Sequence, residues 1–394
     1  MYSLFSVAFI ARRIPLAWLQ LTREKIRLLV ALAGIAFACI LMFIQLGFQD
    51  SLLESAIRFH VALKGEIFLV SPQSNALIAM NTFSQRRLYQ TLGFEGVRAI
   101  SPVYVGFALW KNPETRRTRS IFVVGVDPSA DLLDLPELTP DKLEEIKKAD
   151  VVLFDRRSRS EFGPIPEWLE SGREVVTEVG NRRVQVGGLF EMGATFGADG
   201  TILTSDLNFL RIFPQRGRGL VDIGVVQLQP GVDPDPLVRQ MRALLPEDVR
   251  VLSRAEFIDM EQTYWEEGTA IGFIFGLGVV MGFIVGIVIV YQILYTDVSD
   301  HLAEYATLKA MGYTDTYLLG VVFQEAILLA GLGYIPAFAL SVLLYDLTAN
   351  ATLLPIAMTF NRAVLVLGLA VSMCFISGAI AVRRLRAADP ADIF

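Results

Sequence analysis

Four long apolar runs mark the chain, and one polar block separates the first run from the other three. Leu28–Phe48, Gly268–Thr296 and Ala363–Val382 carry no charged residue; Tyr317–Tyr345 carries one, Glu325. At ~1.5 Å of rise per residue, each run is long enough to cross the ~30 Å hydrocarbon core as a helix. Helical spacing persists through Asp50–Leu63, so the first helix is predicted to run on beyond the bilayer. The block 49–267 reads differently. Strand character recurs at Glu66–Ser71, Val97–Trp110, Thr118–Val126, Asp150–Asp155, Glu174–Phe190 and Val221–Leu228. Gly180-Asn181 sits where a hairpin turn would fall between Val175 and Val186. Helical patterns lie at Phe83–Leu92, Asp206–Ile212, Pro236–Leu245 and Ser253–Glu267, and Pro128–Pro140 reads as a loop.

The fold class expected is therefore an α-helical membrane protein with four transmembrane helices and a large α+β domain between the first and second. The expected segments are an interfacial amphipathic helix 1–27, spans 28–48, 268–296, 317–345 and 363–382, an outer loop 346–362 and a tail 383–394. In 1–27, Arg12, Arg13, Arg23, Lys25 and Arg27 interleave with Pro15, Leu16, Trp18, Leu19 and Leu21. A signal peptide fits poorly, because the apolar run is too long and lacks a small-residue cleavage site. This basic cluster and Arg383, Arg384 and Arg386 after the last span place both chain ends in the cytoplasm and the large domain outside.

Between the second and third spans lies Asp297–Tyr317, which breaks that positive rule: Asp297, Asp300, Glu304 and Asp315 outnumber Lys309. Val298, Leu302, Tyr305 and Leu308 share one helix face. Asp297 or Ser299 is expected to cap its start, and Gly312 stands where a C′ glycine would. A short amphipathic acidic helix, 297–316, is expected here, and either a solvated turn or a docking element fits the pattern.

Composition agrees with a membrane protein: 53% hydrophobic and 19% charged residues, with mean hydropathy +0.48. The net charge of −6 gives no nucleic-acid signature. Cys39 and Cys374 fall inside apolar runs, and His60 and His301 have no partner at metal-ligand spacing. No catalytic, cofactor-binding or metal-binding residue is assigned. No GxxxxGK[ST] stretch occurs, so ATP and magnesium would belong to another chain. Asp155, Glu161, Glu167, Glu170 and Glu174 match no paired-carboxylate or metal-loop spacing, and Arg156, Arg157 and Arg159 read as a solvated strand edge. Gln324 and Glu325 lie about two turns into the third span. A conduit or relay and a hydrogen bond to a neighbouring helix are both open, and the modest depth favours the second. Gly268, Gly272 and Gly276 repeat at four residues, as do Gly278, Gly282 and Gly286. Such faces allow close helix approach, within one subunit or between two.

Glu304-Tyr305-Ala306-Thr307-Leu308-Lys309-Ala310-Met311-Gly312 resembles the E-(I/Y)-A-x-L-(K/R)-A-x-G segment of FtsX-like, MacB-type (type VII) ABC transporter permeases. Residues Ile14–Lys25 and Phe48–Leu52 resemble the DevC-like permease of heterocyst-glycolipid-type exporters. The resemblance implies a non-catalytic mechanotransmission subunit with a two-lobed ectodomain, the second lobe inserted at roughly 110–200. It implies two ATPase subunits, each docked on the 297–316 helix, a second copy of this chain, a periplasmic adaptor and a TolC-like outer-membrane channel. In that arrangement Leu302, Tyr305 and Leu308 supply apolar contact, Asp300 and Glu304 charge, and Lys309 an anchor. The cargo implied is a glycolipid or similar amphiphile. An FtsX-like signal transmitter to a cell-wall hydrolase, or a lipoprotein-releasing permease, is the alternative.

Overall fold

The computed structural model describes residues 25–300, 307, 311, 315–352 and 354–387. In chain order these form α1 (Lys25–Ala62), β1 (Ile67–Val70), β2 (Phe83–Ser84), α2 (Gln85–Gln90), β3 (Val97–Lys111), β4 (Thr118–Val126), α3 (Pro140–Glu145), β5 (Val151–Asp155), α4 (Ile165–Glu170), β6 (Val175–Val179), β7 (Arg182–Phe190), β8 (Thr201–Ser205), α5 (Asp206–Ile212), β9 (Leu220–Val221), β10 (Ile223–Leu228), α6 (Pro234–Leu244), β11 (Arg250–Ser253), α7 (Arg254–Glu266), α8 (Ala270–Asp300), α9 (Asp315–Thr352) and α10 (Phe360–Ala387). The chain divides into two compact units. One is helical and draws on residues up to Gln49, Phe273–Leu347 and Ile356 onward; the other is α+β, Asp50–Gly272 with Thr348–Pro355.

The α+β unit is built on one sheet in the order β11-β1-β10-β3-β4-β8-β5-β7-β6. Alternate residues of its strands feed two cores. On one face lie Ile67, Leu69, Tyr104, Ile121, Val123, Val152, Ile202 and Val226. On the other lie Phe68, Val70, Val103, Phe122, Val124, Leu153, Leu203 and Val225. A strand covered on both sides has no polar face to show, which explains why β1, β5 and β10 are buried throughout and apolar apart from Asp155 and Gln227. The hairpin β6–β7 instead alternates, because one of its faces meets water. It turns at Gly180, whose φ of 60° is open to glycine without steric cost.

Residues 110–200, the stretch expected as a second lobe, contribute strands to the same sheet. Their strands continue from β3 through β4, and β6 returns to bridge β3 at Trp110–Val179. Strands β3, β4, β8, β5, β7 and β6 thus curl into a closed ring that shares β3 with the open half of the sheet. Trp110 fills the ring, packing on Phe154 at 5.2 Å and donating its indole N–H to the Phe162 carbonyl at 3.0 Å. The helix expected at Phe83–Leu92 begins as strand β2, since buried Phe83 pairs with Val221, and becomes helical only at Gln85.

In the helical unit, α1, α8, α9 and α10 are each long and apolar enough to cross a membrane. All four run past their apolar cores, because backbone hydrogen bonding continues where hydropathy falls. The connection expected over 346–362 is accordingly shorter: α9 extends to Thr352 and α10 begins at Phe360. Pro336 lies inside α9 without ending it. Helices apolar all round gain little from burying more carbon, so small residues decide where they meet. A Cβ on Gly34 would fall 2.4 Å from Ile289, and one on Gly333 2.6 Å from Ile35. The Tyr345 hydroxyl donates to the Phe43 carbonyl, and Ser377 donates to the Ile287 carbonyl at 2.8 Å.

Candidate functional site

Of the expected docking helix, Leu302, Glu304, Tyr305, Leu308, Lys309 and Gly312 lie outside the described residues. Its flanks are described. The start is not capped by Asp297 or Ser299, because α8 continues through both to Asp300. The Ser299 hydroxyl donates back to the Tyr295 carbonyl at 2.7 Å, a bond that belongs to a helix interior. Asp300 meets Arg27 of α1 at 2.6 Å, so its charge is engaged within the chain. Further on, the Met311 N–H donates to the Thr307 carbonyl at 3.0 Å, one helical i to i+4 bond, and the Met311 side chain is 64% exposed.

Gln324 and Glu325 are separated by the structure. Gln324 is exposed on α9, whereas Glu325 is buried and hydrogen-bonds the buried Asp297 of α8. A hydrogen bond between two carboxyls needs a proton on one of them. The pair joins the last turn of α8 to α9, at the first residue of the 297–316 segment.

The two glycine series differ as well. A Cβ on Gly278 would meet Gln45 at 2.4 Å, on Gly282 Met42 at 3.2 Å, and on Gly286 Met373 at 2.3 Å and Ala38 at 3.1 Å. This series packs against α1 and α10 of the same chain. Gly268 and Gly272 stand against backbone of their own chain, at Tyr264 and Glu266, and Gly276 has open space.

In the α+β unit the acidic and basic residues singled out from sequence form local pairs. Asp155 is fully buried at the end of β5 and accepts the N–H groups of Arg157, Met192 and Gly193 at 3.1, 3.0 and 2.9 Å. Arg156, Arg157 and Arg159 do not line a sheet edge, since β5 lies between β8 and β7. They pair in a loop with Glu137 and Glu170, with Glu191, and with Asp199. Among the described residues, no group of three or more His, Cys, Asp or Glu side chains is arranged to hold a metal ion.

One polar pair escaped the sequence reading. His60, near the end of α1, is fully buried and packs at a tilt on Phe257 with ring centres 4.4 Å apart. Its Nε2 lies 3.4 Å from Oε2 of Glu261 on α7. Glu261 is 2% exposed and accepts the Leu77 N–H at 2.7 Å and the Trp265 indole N–H at 2.8 Å. Burial pushes the Glu261 carboxyl up to about 7, the two donated bonds pulling it partly back. Burial alone pulls the His60 imidazole, well past the apolar run of α1, down to about 3. Phe257, Glu261 and Trp265 are spaced by four, so a carboxylate on an otherwise apolar helix face was the available signal.

A family model for the MacB-like periplasmic core domain matches residues 28–244, and one for the FtsX-like permease C-terminal region matches residues 276–390. Among solved structures, the chain is similar to the periplasmic region of MacB from Actinobacillus actinomycetemcomitans, at 10% identity and TM-score 0.35, over 53% of this chain and 96% of that one. It is also similar to the extracellular domain of the noncanonic ABC-type transporter YknZ from Gram-positive bacteria, at 14% identity and TM-score 0.32, over 48% of this chain and 99% of that one. No curated protein matches. With the first family model covering more than half of its length, the protein belongs to the MacB/FtsX-type ABC permeases, membrane subunits of transporters or transmembrane signalling machines that work with an ABC ATPase partner.

Proposed function

We propose that the chain is the permease of an ATP-driven exporter in the inner membrane, with both termini cytoplasmic and the α+β unit periplasmic. Two copies pair, and each docks one ATPase subunit through the 297–316 segment. ATP and magnesium bind the ATPases, and their closure pushes that segment, then α1 and α8, then the periplasmic units. An amphiphile, glycolipid-like on the DevC-like resemblance, is taken up on the outer side and driven through an adaptor and a TolC-like outer-membrane channel. The observation that carries the reading is the position of Glu304–Gly312: it falls inside the FtsX-like match, between α8 and α9, in a chain whose first part matches a MacB-like periplasmic core. The acidic excess of the segment suits a basic cleft on a partner.

Co-purification from detergent with and without ATP tests the partners. An ATPase with a membrane-anchored adaptor supports export, an ATPase with a secreted cell-wall hydrolase transfers the protein to the signalling class, and no ATPase removes the mechanism. Leu302→Ala and Leu308→Ala are expected to leave membrane insertion intact and to uncouple ATP hydrolysis from transport. Normal transport in both variants defeats the docking assignment.

A further inference from the structure

A cavity of about 410 Å³ opens in the α+β unit where α1 faces the loops that follow β4, β5 and β7. Its walls are divided by chemistry. Ile57 and Val61 of α1, with Leu135 and Met192, form an apolar side. Arg58 and Arg157 form the cationic side. The two cations are not equivalent. Arg157 is paired with Glu191 at 2.6 Å. Arg58 is only partly exposed, donates one hydrogen bond to the Met192 carbonyl at 3.1 Å, and forms no ion pair among the described residues. The carboxylates of Glu54, Asp155 and Glu191 act on the Arg58 guanidinium through space, and Arg157 opposes them, but none of the three is in direct ion-pair contact with it. Arg58 carries five N–H donors in a rigid fork suited to planar or tetrahedral anions. Its place is built: Gly193, at φ 93°, leaves the space the guanidinium occupies, and a Cβ there would lie 2.3 Å from it.

We infer that this cavity binds an anionic amphiphile, with a phosphate or carboxylate head on Arg58 and the hydrocarbon along Ile57, Val61, Leu135 and Met192. The inference deepens the export reading and rests on it only for the identity of the cargo. Glu54 and Asp134 also line the cavity and repel a bare anion arriving from water. A free inorganic ion is therefore the weaker ligand, and the apolar wall supplies the remaining affinity. The size falls in the range of small-molecule sites, ~300–1,000 Å³.

The test uses the full chain in phosphatidylcholine nanodiscs without any ATPase, with empty discs subtracted. Octyl phosphate, octanol and inorganic phosphate are titrated calorimetrically. Octyl phosphate is expected to bind saturably, and the two control probes at least about tenfold more weakly. Arg58→Gln, and separately Leu135→Trp to fill the cavity, are each expected to weaken octyl phosphate by about tenfold or more, while Arg58→Lys retains part of the binding. Inorganic phosphate binding as tightly as octyl phosphate, octanol binding as tightly, or unchanged affinity in Leu135→Trp and Arg58→Gln overturns the inference. If Arg58→Gln does not fold, Leu135→Trp decides. Binding by a chain that recruits no ATPase keeps the site and defeats the exporter reading; export without binding does the reverse.

Discussion

Replacing Glu261 with glutamine separates the cost of ionising a buried carboxyl from the value of its hydrogen bonds. A folded value near 7 against an ordinary 4.5 means the folded unit holds this proton more tightly than the unfolded chain. Stability from that source is complete below about 4.5 and is lost as pH rises through about 7. At 1.36 kcal/mol per unit, the loss above neutrality is about 3 kcal/mol. His60 acts in the opposite sense. Its contribution is complete above about 6.5 and is lost as pH falls towards 3. The two slopes oppose each other between 4.5 and 6.5, so stability is expected to plateau there and to fall on either side. The protonated carboxyl can donate to His60 Nε2 while still accepting from Leu77 and Trp265. Glutamine keeps the acceptor for Trp265 but turns its amide against the Leu77 N–H, a loss of about 1–1.5 kcal/mol. Glu261→Gln is thus expected to be less stable than wild type near pH 4.5 and about 2 kcal/mol more stable at pH 8. Urea unfolding of the full chain in detergent, followed by tryptophan fluorescence, reads this directly because Trp265 touches the pair. Parallel stability curves for the two proteins from pH 4.5 to 8 would refute the reasoning.

Gly286→Val inserts atoms where Met373 and Ala38 already stand, and should cost about 1–3 kcal/mol by thermal unfolding. Gly276→Val meets nothing within 4 Å and should leave monomer stability unchanged, so that any effect on self-association reports a contact between copies. Asp155→Ala leaves three N–H groups near the end of β5 without their acceptor, and a loss of about 1–3 kcal/mol for each buried one should lower the urea midpoint sharply.

The parts of the fold legible in sequence are those with a local period. The alternation in β6 and β7 and the glycine between them predict a hairpin without knowledge of its partners. Strand β8 was missed because Thr201–Ser205 is buried throughout, so it neither alternates nor runs long enough to separate strand from helix. Asp297 was misread as a cap because an acidic residue after an apolar run looks like a boundary. Hydropathy marks where water begins, whereas the helix ends where its hydrogen bonds end. The pairs Asp297–Glu325 and His60–Glu261, and the convergence of Arg58 and Arg157 over Gly193, join residues far apart in the chain. No periodicity encodes such meetings; only an ionisable group on an apolar helix face hints that a partner exists.

The chain passes between its two units through a continuous helix at one point and an interrupted one at another. Helix α1 is a single element of 38 residues with unbroken helical hydrogen bonding through Phe48 and Gln49. At ~1.5 Å per residue that is ~57 Å, nearly twice the ~30 Å hydrocarbon core, so a single helix carries the chain from the first apolar run into the α+β unit. Between α7 and α8 the helix is interrupted at Glu267–Thr269, where the Gly268 N–H donates to the Thr263 carbonyl at 3.3 Å. A rod transmits a push; a jointed connection bends under it. Under the export mechanism proposed above, α1 is expected to carry more of the motion than α8. Gln49→Gly with Asp50→Gly softens the rod at ~1 kcal/mol per residue without changing its register, and Gln49→Ala with Asp50→Ala keeps it stiff. With the ATPase reconstituted, the glycine pair is expected to hydrolyse ATP normally and to transport poorly, and the alanine pair to do both. Equal transport by the two pairs would mean that the push does not travel through α1.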